Sequence, residues 1–549
     1  MTNNGQDGDW DEPRRSFSSR TPANENPDHV MYRRGFVTRH QVSGWRFVVR
    51  RIASGIALHD TRMLVDPLRT QSRAVLMGVV LLVTGLAGCF VFSLIRPAGS
   101  AGTNPVLADR STAALYVRIG DQLHPVLNLM SARLIVGRPV NPTMVKSTEL
   151  ERFSPGNLIG IPGAPERMEQ NTSHDARWTV CDAVSGASRD AHSAGVTVIS
   201  GPPADGGARA ATLGPTRALL VDASGDRVGA GADGDRVTWL LWAGKRSRIN
   251  LADHPVTAAL GLGTDTPTAR PVASGLLNAI PEAPPLAAPI IPNAGAPAPY
   301  SVPAPVGAVV ASYSLDPPDA VRYYAVLPDG LQPISPVLAS ILRNSNSFGL
   351  DQPPRLGADA VAKLPVSGLL DTGRYPDQPL TVVDAAQEPV TCASWSRGSG
   401  AATSSVSLLS GSALPISDSI HPLELVGGGA TGTAARVALP PGTGYFTQTV
   451  GGSATGSAVG PTTGALFWVS DTGVRYGIDT EADKETSTAG HGKTVEALGL
   501  SGTPVPIPWS VLSLFASGPT LSRADALLAH DGLMPDPTPG RVAAEGEPR

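Results

Sequence analysis

Two groups of residues in this chain have types and spacings that could do chemistry. The first is Ser487–Thr494, STAGHGKT, whose Gly492-Lys493-Thr494 triplet matches the end of a phosphate-binding loop. Such a loop needs glycine five residues ahead of the triplet, where the backbone passes close to phosphate, and that place holds Ser487. The residues before it, DTEADKET, are polar and acidic rather than a buried strand able to deliver the loop. Gly492, Lys493 and Thr494 are therefore a weak nucleotide-binding candidate, and a flexible surface loop is the plainer expectation. The second group is the cysteines. Cys89 sits inside a long apolar run as a small packing residue, and Cys181 and Cys392 are expected to pair as one long-range disulfide. Other catalytic patterns are absent: there is no H-E-x-x-H, C-x-x-C or G-x-S-x-G, and the ten histidines lack metal-ligand spacing. The acidic pairs Glu149/Glu151 and Asp233/Asp235 read as solvated turns and helix edges. These residues imply no catalytic set, cofactor or metal.

The element that positions everything else is Ala74–Ile95, 22 residues without a formal charge between Arg73 and Arg96. As a helix it reaches about 33 Å, the thickness of a bilayer core. It starts too far into the chain and runs too long for a signal peptide, so it is expected to be the only span. Within it Gly78, Gly85 and Gly88 fall close to one face beside Cys89, a pattern that lets a neighbouring membrane helix approach. Nine arginines and two acids lie between Arg33 and Arg73, whereas the first stretch after the span carries only Arg96. That asymmetry is expected to keep the N-terminus in the cytoplasm and to place about 450 residues outside the membrane. From residue 96 onward there are 31 basic and 39 acidic residues, a balance that argues against nucleic acid as a partner.

Ahead of the span, residues 1–37 are expected to be a disordered tail. Thr38 and Gln41 form a capping box for a helix within 38–66, with Val37 and Val42 as its hydrophobic staple. Val42, Trp45, Val48, Val49, Ile52 and Ile56 then recur at helical spacing, with Arg39, Arg46 and Arg50 on the other side. Such a helix either lies on the inner leaflet or packs on a cytosolic partner. Asp66-Pro67 starts the spanning segment, 67–96.

The expected fold of the exodomain is α+β: four small repeats around a β-rich core. ALYVRIGDQLHPV, VTWLLWAGKRSRI, VRYYAVLPDGLQPI and ALFWVSDTGVRYGI share a strand, a tight turn and a second strand. Each precedes two short helical runs, and a hairpin needs such a cover to bury a face. The repeats are placed at 97–169, 226–290, 306–377 and 465–530. Residues 170–225 and 378–464 are expected to pair as the core, where RWTVC and TCASW each hold a tryptophan three residues from the cysteine. Residues 281–305, with nine prolines, are expected to be a semi-rigid linker, and 531–549 a loose tail.

RRGFVTRHQVSGWRFVVRRIASGIALHDTRMLVDP and NPVLADRSTAALYVRIGDQLHPVLNLMSARLIVG resemble the N-terminus and the start of the periplasmic part of EccB, a component of mycobacterial type VII (ESX) secretion systems. The resemblance covers roughly residues 30–520. It implies a structural subunit of an inner-membrane channel, assembled with EccC, EccD, EccE, a mycosin protease and other EccB copies. It also brings an ATPase label, hence ATP as the one cofactor it would imply. A third reading, binding to the cell wall, rests on a fold-level analogy with the wall-binding repeats of a phage lysin.

Overall fold

In the computed structural model, placement is described for residues 39–59, 67–95, 101–173, 175–186, 191–203, 208–223, 237–263, 265–313, 321–429, 432–451, 464–480 and 492–533. The chain divides into two compact units, Met1–Pro97 and Ala98–Arg549.

The first unit holds α1, Arg39–Leu58, and α2, Pro67–Ile95. Proline at the first position of α2 suits a helix start, because its ring presets φ and its missing N–H would have had no partner there. Ser72–Phe92 has a mean hydropathy of 2.6 and is long enough to cross a membrane. Its Thr84 hydroxyl donates to the Val80 carbonyl at 2.7 Å, so the hydroxyl is satisfied inside the helix. Thr38 and Asp66, the expected caps, lie outside the described residues.

In the second unit, four sheets share one connectivity. Three antiparallel strands are followed by a helix, a strand parallel to the first, a second helix, and a segment parallel to the third. In one of them the strands are Val106–Asp109, Leu115–Ile119 and Gln122–Val126, with Thr143–Val145 and Leu158–Ile159 returning in parallel. Others begin at Arg217–Asp222, Val309–Tyr313 and Tyr445–Val450. Two of these first strands correct the sequence reading, which left Arg217–Asp222 in the core and ended the core at 464. Instead Leu219 pairs with Leu241, and Tyr445 with Val469. In these two meanders about 15 residues separate the first strand from the hairpin that follows, too many to carry a turn signal, so the first strand was not legible.

A further sheet is central. Its order runs Ala210–Thr212, Ser405–Gly411, Val390–Arg397, Ala176–Ser185, Thr197–Ser200, Arg436–Ala438 and Leu423–Glu424. Strands from two distant parts of the chain therefore interleave across it, mostly in pairs. The sheets share three main cores. Leu134 and Val117 pack with Trp468 and Val495, joining the first and fourth meanders. Leu240 and Val256 pack with Leu327 and Leu338, joining the second and third. Trp178, Leu276, Leu277, Val511, Leu512 and Phe515 share the central core. The short helices Ser274–Asn278 and Trp509–Leu512 thus dock on the central sheet, whereas Ser147–Leu150 and Ala358–Lys363 bury no residue. Where the second hairpin meets that sheet, Gly244 has φ +75° and a Cβ would stand 2.3 Å from the Val406 carbonyl oxygen. Only glycine fits so close an approach.

The proline-rich stretch is not a linker. Glu282–Leu286 adds a parallel strand to Lys245–Ile249, pairing Glu282 with Arg246 and Leu286 with Ile249, with the register shifting between them. Pro284 and Pro285 fall in that shift, at a sheet edge, where a missing N–H costs little. Leu286, Ile291 and Ala304 are buried, and the Tyr300 hydroxyl donates to the Leu327 and Gly330 carbonyls at 2.7 and 2.9 Å. At the other end, Ala529–His530 pairs with Leu158–Ile159, so these residues belong to the first sheet and not to the fourth meander.

Candidate functional site

The residues that tie the sheets together converge on the middle of the central sheet. Cys181 and Cys392 face each other across antiparallel strands with their Cα atoms 4.0 Å apart, and they form the disulfide expected from sequence. In the same register Trp178 faces Trp395. The Trp178 ring meets Tyr445 edge-on at 5.1 Å and Phe515 at 6.3 Å, and its indole N–H donates to the Pro506 carbonyl at 3.0 Å. The fourth meander is held to the core by these contacts. Burial raises the Tyr445 phenol above its ordinary pKa, while its hydroxyl shares a 3.0 Å hydrogen bond with Ser200.

Two charged residues do the same for the second meander. Asp182, next to the disulfide, accepts from the Ser193 hydroxyl and the Ala273 backbone N–H, both at 2.7 Å. Arg270 is 2% exposed and donates to the Glu388 and Val383 carbonyls at 2.8 and 2.7 Å and to the Thr391 hydroxyl at 3.1 Å. Burial lowers its pKa to about 10, opposed by Glu388 and Asp384, so it stays charged at neutral pH. Sequence reading missed Asp182, Arg270, Tyr445 and Phe515. The available signal was a charge set in an apolar stretch, as in VCDAV and TARPVAS. Hydrogen bonds of this kind fasten the second meander to the central sheet.

The phosphate-loop candidate has a structural role. Gly492 is extended, with φ −63° and ψ 157°, and caps the six-residue helix Lys493–Leu498. Asn128, Asp253 and Ser335 cap the corresponding helices, and their side chains accept from the backbone N–H groups of Ser131, Val256 and Leu338. Lys493 is exposed and Thr494 is buried. Both line a cleft of about 640 Å³ with Leu134, Ala497, Arg523 and Leu527. Arg523 is already engaged there, its Nε donating to the Ile135 carbonyl at 3.2 Å. Ser487 lies outside the described residues. Among the described residues, no group of three or more His, Cys, Asp or Glu could hold a metal ion.

The first unit supplies exposed surfaces. A Cβ at Gly78, Gly85 or Gly88 would meet no atom within 4 Å, and the Cys89 thiol beside them is exposed. On α1, Trp45 is 70% and Ile56 73% exposed, and Val49 and Ile52 are exposed with them. Arg46 and Arg50 are exposed as well.

Among the described residues one helix is long and apolar enough to cross a membrane, and it is joined in sequence to a large mixed α+β unit fastened by a buried disulfide, a make-up that suits a subunit of a membrane complex. The profile of the family described as "Type VII secretion system ESX-1, transport TM domain B" matches residues 34–535, and the chain belongs to that family. It is 69% identical over 553 residues to "ESX-3 secretion system ATPase EccB3" of Mycobacterium tuberculosis, covering 100% of this chain and 99% of that protein. It is 37% identical over 519 residues to "ESX-5 secretion system ATPase EccB5" of Mycobacterium marinum, covering 93% and 97%. Among solved structures it resembles a chain of an intact ESX-5 inner membrane complex, with TM-score 0.68, 35% identity, and 93% and 99% covered. It also resembles the EccB3 dimer from the ESX-3 core complex, with TM-score 0.67, 58% identity, and 78% and 100% covered.

Proposed function

We propose that this chain is a structural subunit of a type VII (ESX) secretion complex in the inner membrane, serving an ESX-3 system. The observation that carries the reading is its likeness, over 93% of its length, to a chain of an intact inner membrane complex. Its higher identity to the ESX-3 relative than to the ESX-5 one supports the choice of system. In this reading α2 is the single span, the arginine-rich N-terminus is cytoplasmic, and the disulfide-bonded unit is periplasmic, where oxidation is permitted. The four sheets of common connectivity are four repeats of one module around the central core. Partners are EccC, EccD, EccE, a mycosin protease and further copies of this chain. The open Gly78/Gly85/Gly88 face is the contact for a neighbouring membrane helix. The test is the mass and composition of the detergent-extracted complex carrying a tagged copy. Gly85→Leu should release partners while leaving membrane insertion intact, and an unchanged complex would refute the helix contact.

The relatives' names favour a second reading, an ATPase. It requires Gly492, Lys493 and Thr494 to hold phosphate, in a place where the other three helices carry ordinary caps. Nucleotide binding by the purified chain that is lost in Lys493→Ala would support it. Binding that is absent, or that survives the substitution, would reject this site.

A further inference from the structure

We propose that α1 is an in-plane anchor for an anionic lipid surface, resting on the reading of α2 as the membrane span. Three observations point to lipid as the occupant of its exposed apolar face. The first is charge. α1 contains no acidic residue, and Arg46, Arg50 and Arg51 are all exposed. A face built for a protein would gain specificity from charges of both signs, whereas a one-signed face complements a sheet of like headgroups. The second is the arrangement. At a 100° step per residue, Val42, Trp45, Val49, Ile52 and Ile56 form one stripe, and Arg46 and Arg50 follow one flank of it. That is the profile of a helix with its apolar face in the headgroup boundary, guanidinium groups at phosphate level, and an indole at the interface. The third is reach. α1 ends at Leu58 and α2 begins at Pro67. The chain between them extends about 30 Å at most, so the end of α1 cannot leave the neighbourhood of the membrane. Tethering raises the effective concentration of lipid for this helix and lets a modest intrinsic affinity hold it down.

The test uses the full-length chain in nanodiscs of phosphatidylcholine, with or without phosphatidylglycerol. A Cys89→Ala background carries one spin label, at Val49→Cys, Ser43→Cys or Leu82→Cys. With phosphatidylglycerol, the label at 49 should collide mainly with lipid-soluble oxygen, and the label at 43, on the opposite face, with an aqueous nickel chelate. Removing phosphatidylglycerol should reduce the contrast. Arg46→Gln with Arg50→Gln should lower the bound-to-free ratio of the helix in anionic discs roughly thirtyfold. A water-exposed label at 49 in anionic discs, with the label at 82 in lipid, overturns the anchor while leaving the span. Protection at 49 only in the extracted multi-subunit complex also overturns it and assigns the face to a protein partner. An aqueous label at 82 removes the span reading and the anchor together.

Discussion

Replacing Cys181 and Cys392 together by alanine removes the disulfide that cross-links the two middle strands of the central sheet. The bridge closes a loop of sequence separation 211. In the chain-entropy account a loop of that size stabilises by about 5 kcal/mol, and a compact denatured chain reduces this to about 3–5 kcal/mol. The native state should change little. On one side of the bridge Val180, Thr179 and Trp178 face Ala393, Ser394 and Trp395, and on the other Asp182 and Ala183 face Thr391 and Val390. That ladder holds the register without the sulfurs, so the cost falls on the denatured ensemble. Folding and unfolding rates of the detergent-solubilised chain, followed by tryptophan fluorescence, separate the two. The double variant should refold more slowly, with an unfolding rate within roughly tenfold of the parent and a larger denaturant slope, because the unlinked chain expands further. A total loss below about 1 kcal/mol, or a loss carried mainly by faster unfolding, would refute the reasoning.

The docked and undocked short helices should respond differently to mutation. Leu276→Ala, in the central core, should cost about 2–5 kcal/mol by denaturant titration. Counted from the returning strand, Glu149 stands at the matching position of the first meander, and Glu149→Leu should stay within about 0.5 kcal/mol. Burial raises the phenols of Tyr375, Tyr445 and Tyr476. Their protonated forms are favoured in the folded state, so their contribution is complete below the ordinary phenol value of 10.0 and is lost as pH rises above it. Alkaline titration should show a late group of tyrosines whose ionisation coincides with unfolding, and Tyr445→Phe should remove one member of it.

The first and third meanders carry the same connectivity as the second and fourth yet leave their second helices unburied, and the reason is visible residue by residue. Leu276 and Val511 face the central sheet, where the first and third meanders have Glu149 and Ala360. A carboxylate or a methyl group cannot replace a branched apolar side chain in that contact. The sequence contained this distinction, but it could be read only after the pairing registers had aligned the four units.

Local patterns in the sequence were enough to determine the apolar span, the basic amphipathic helix, the four hairpins with their following helices, and the pairing of Cys181 with Cys392. Each depends on spacing along one short segment, or, for the cysteines, on there being no other partner outside the span. Only the tertiary structure decided which distant strands complete each meander, that the proline-rich stretch is a sheet edge, and that Gly492 caps a helix. It also decided that Asp182 and Arg270 fasten one unit to the core. Those outcomes depend on contacts between residues far apart in the chain, whose free energy arises from burial and hydrogen bonding after the segments meet and so leaves no periodicity behind.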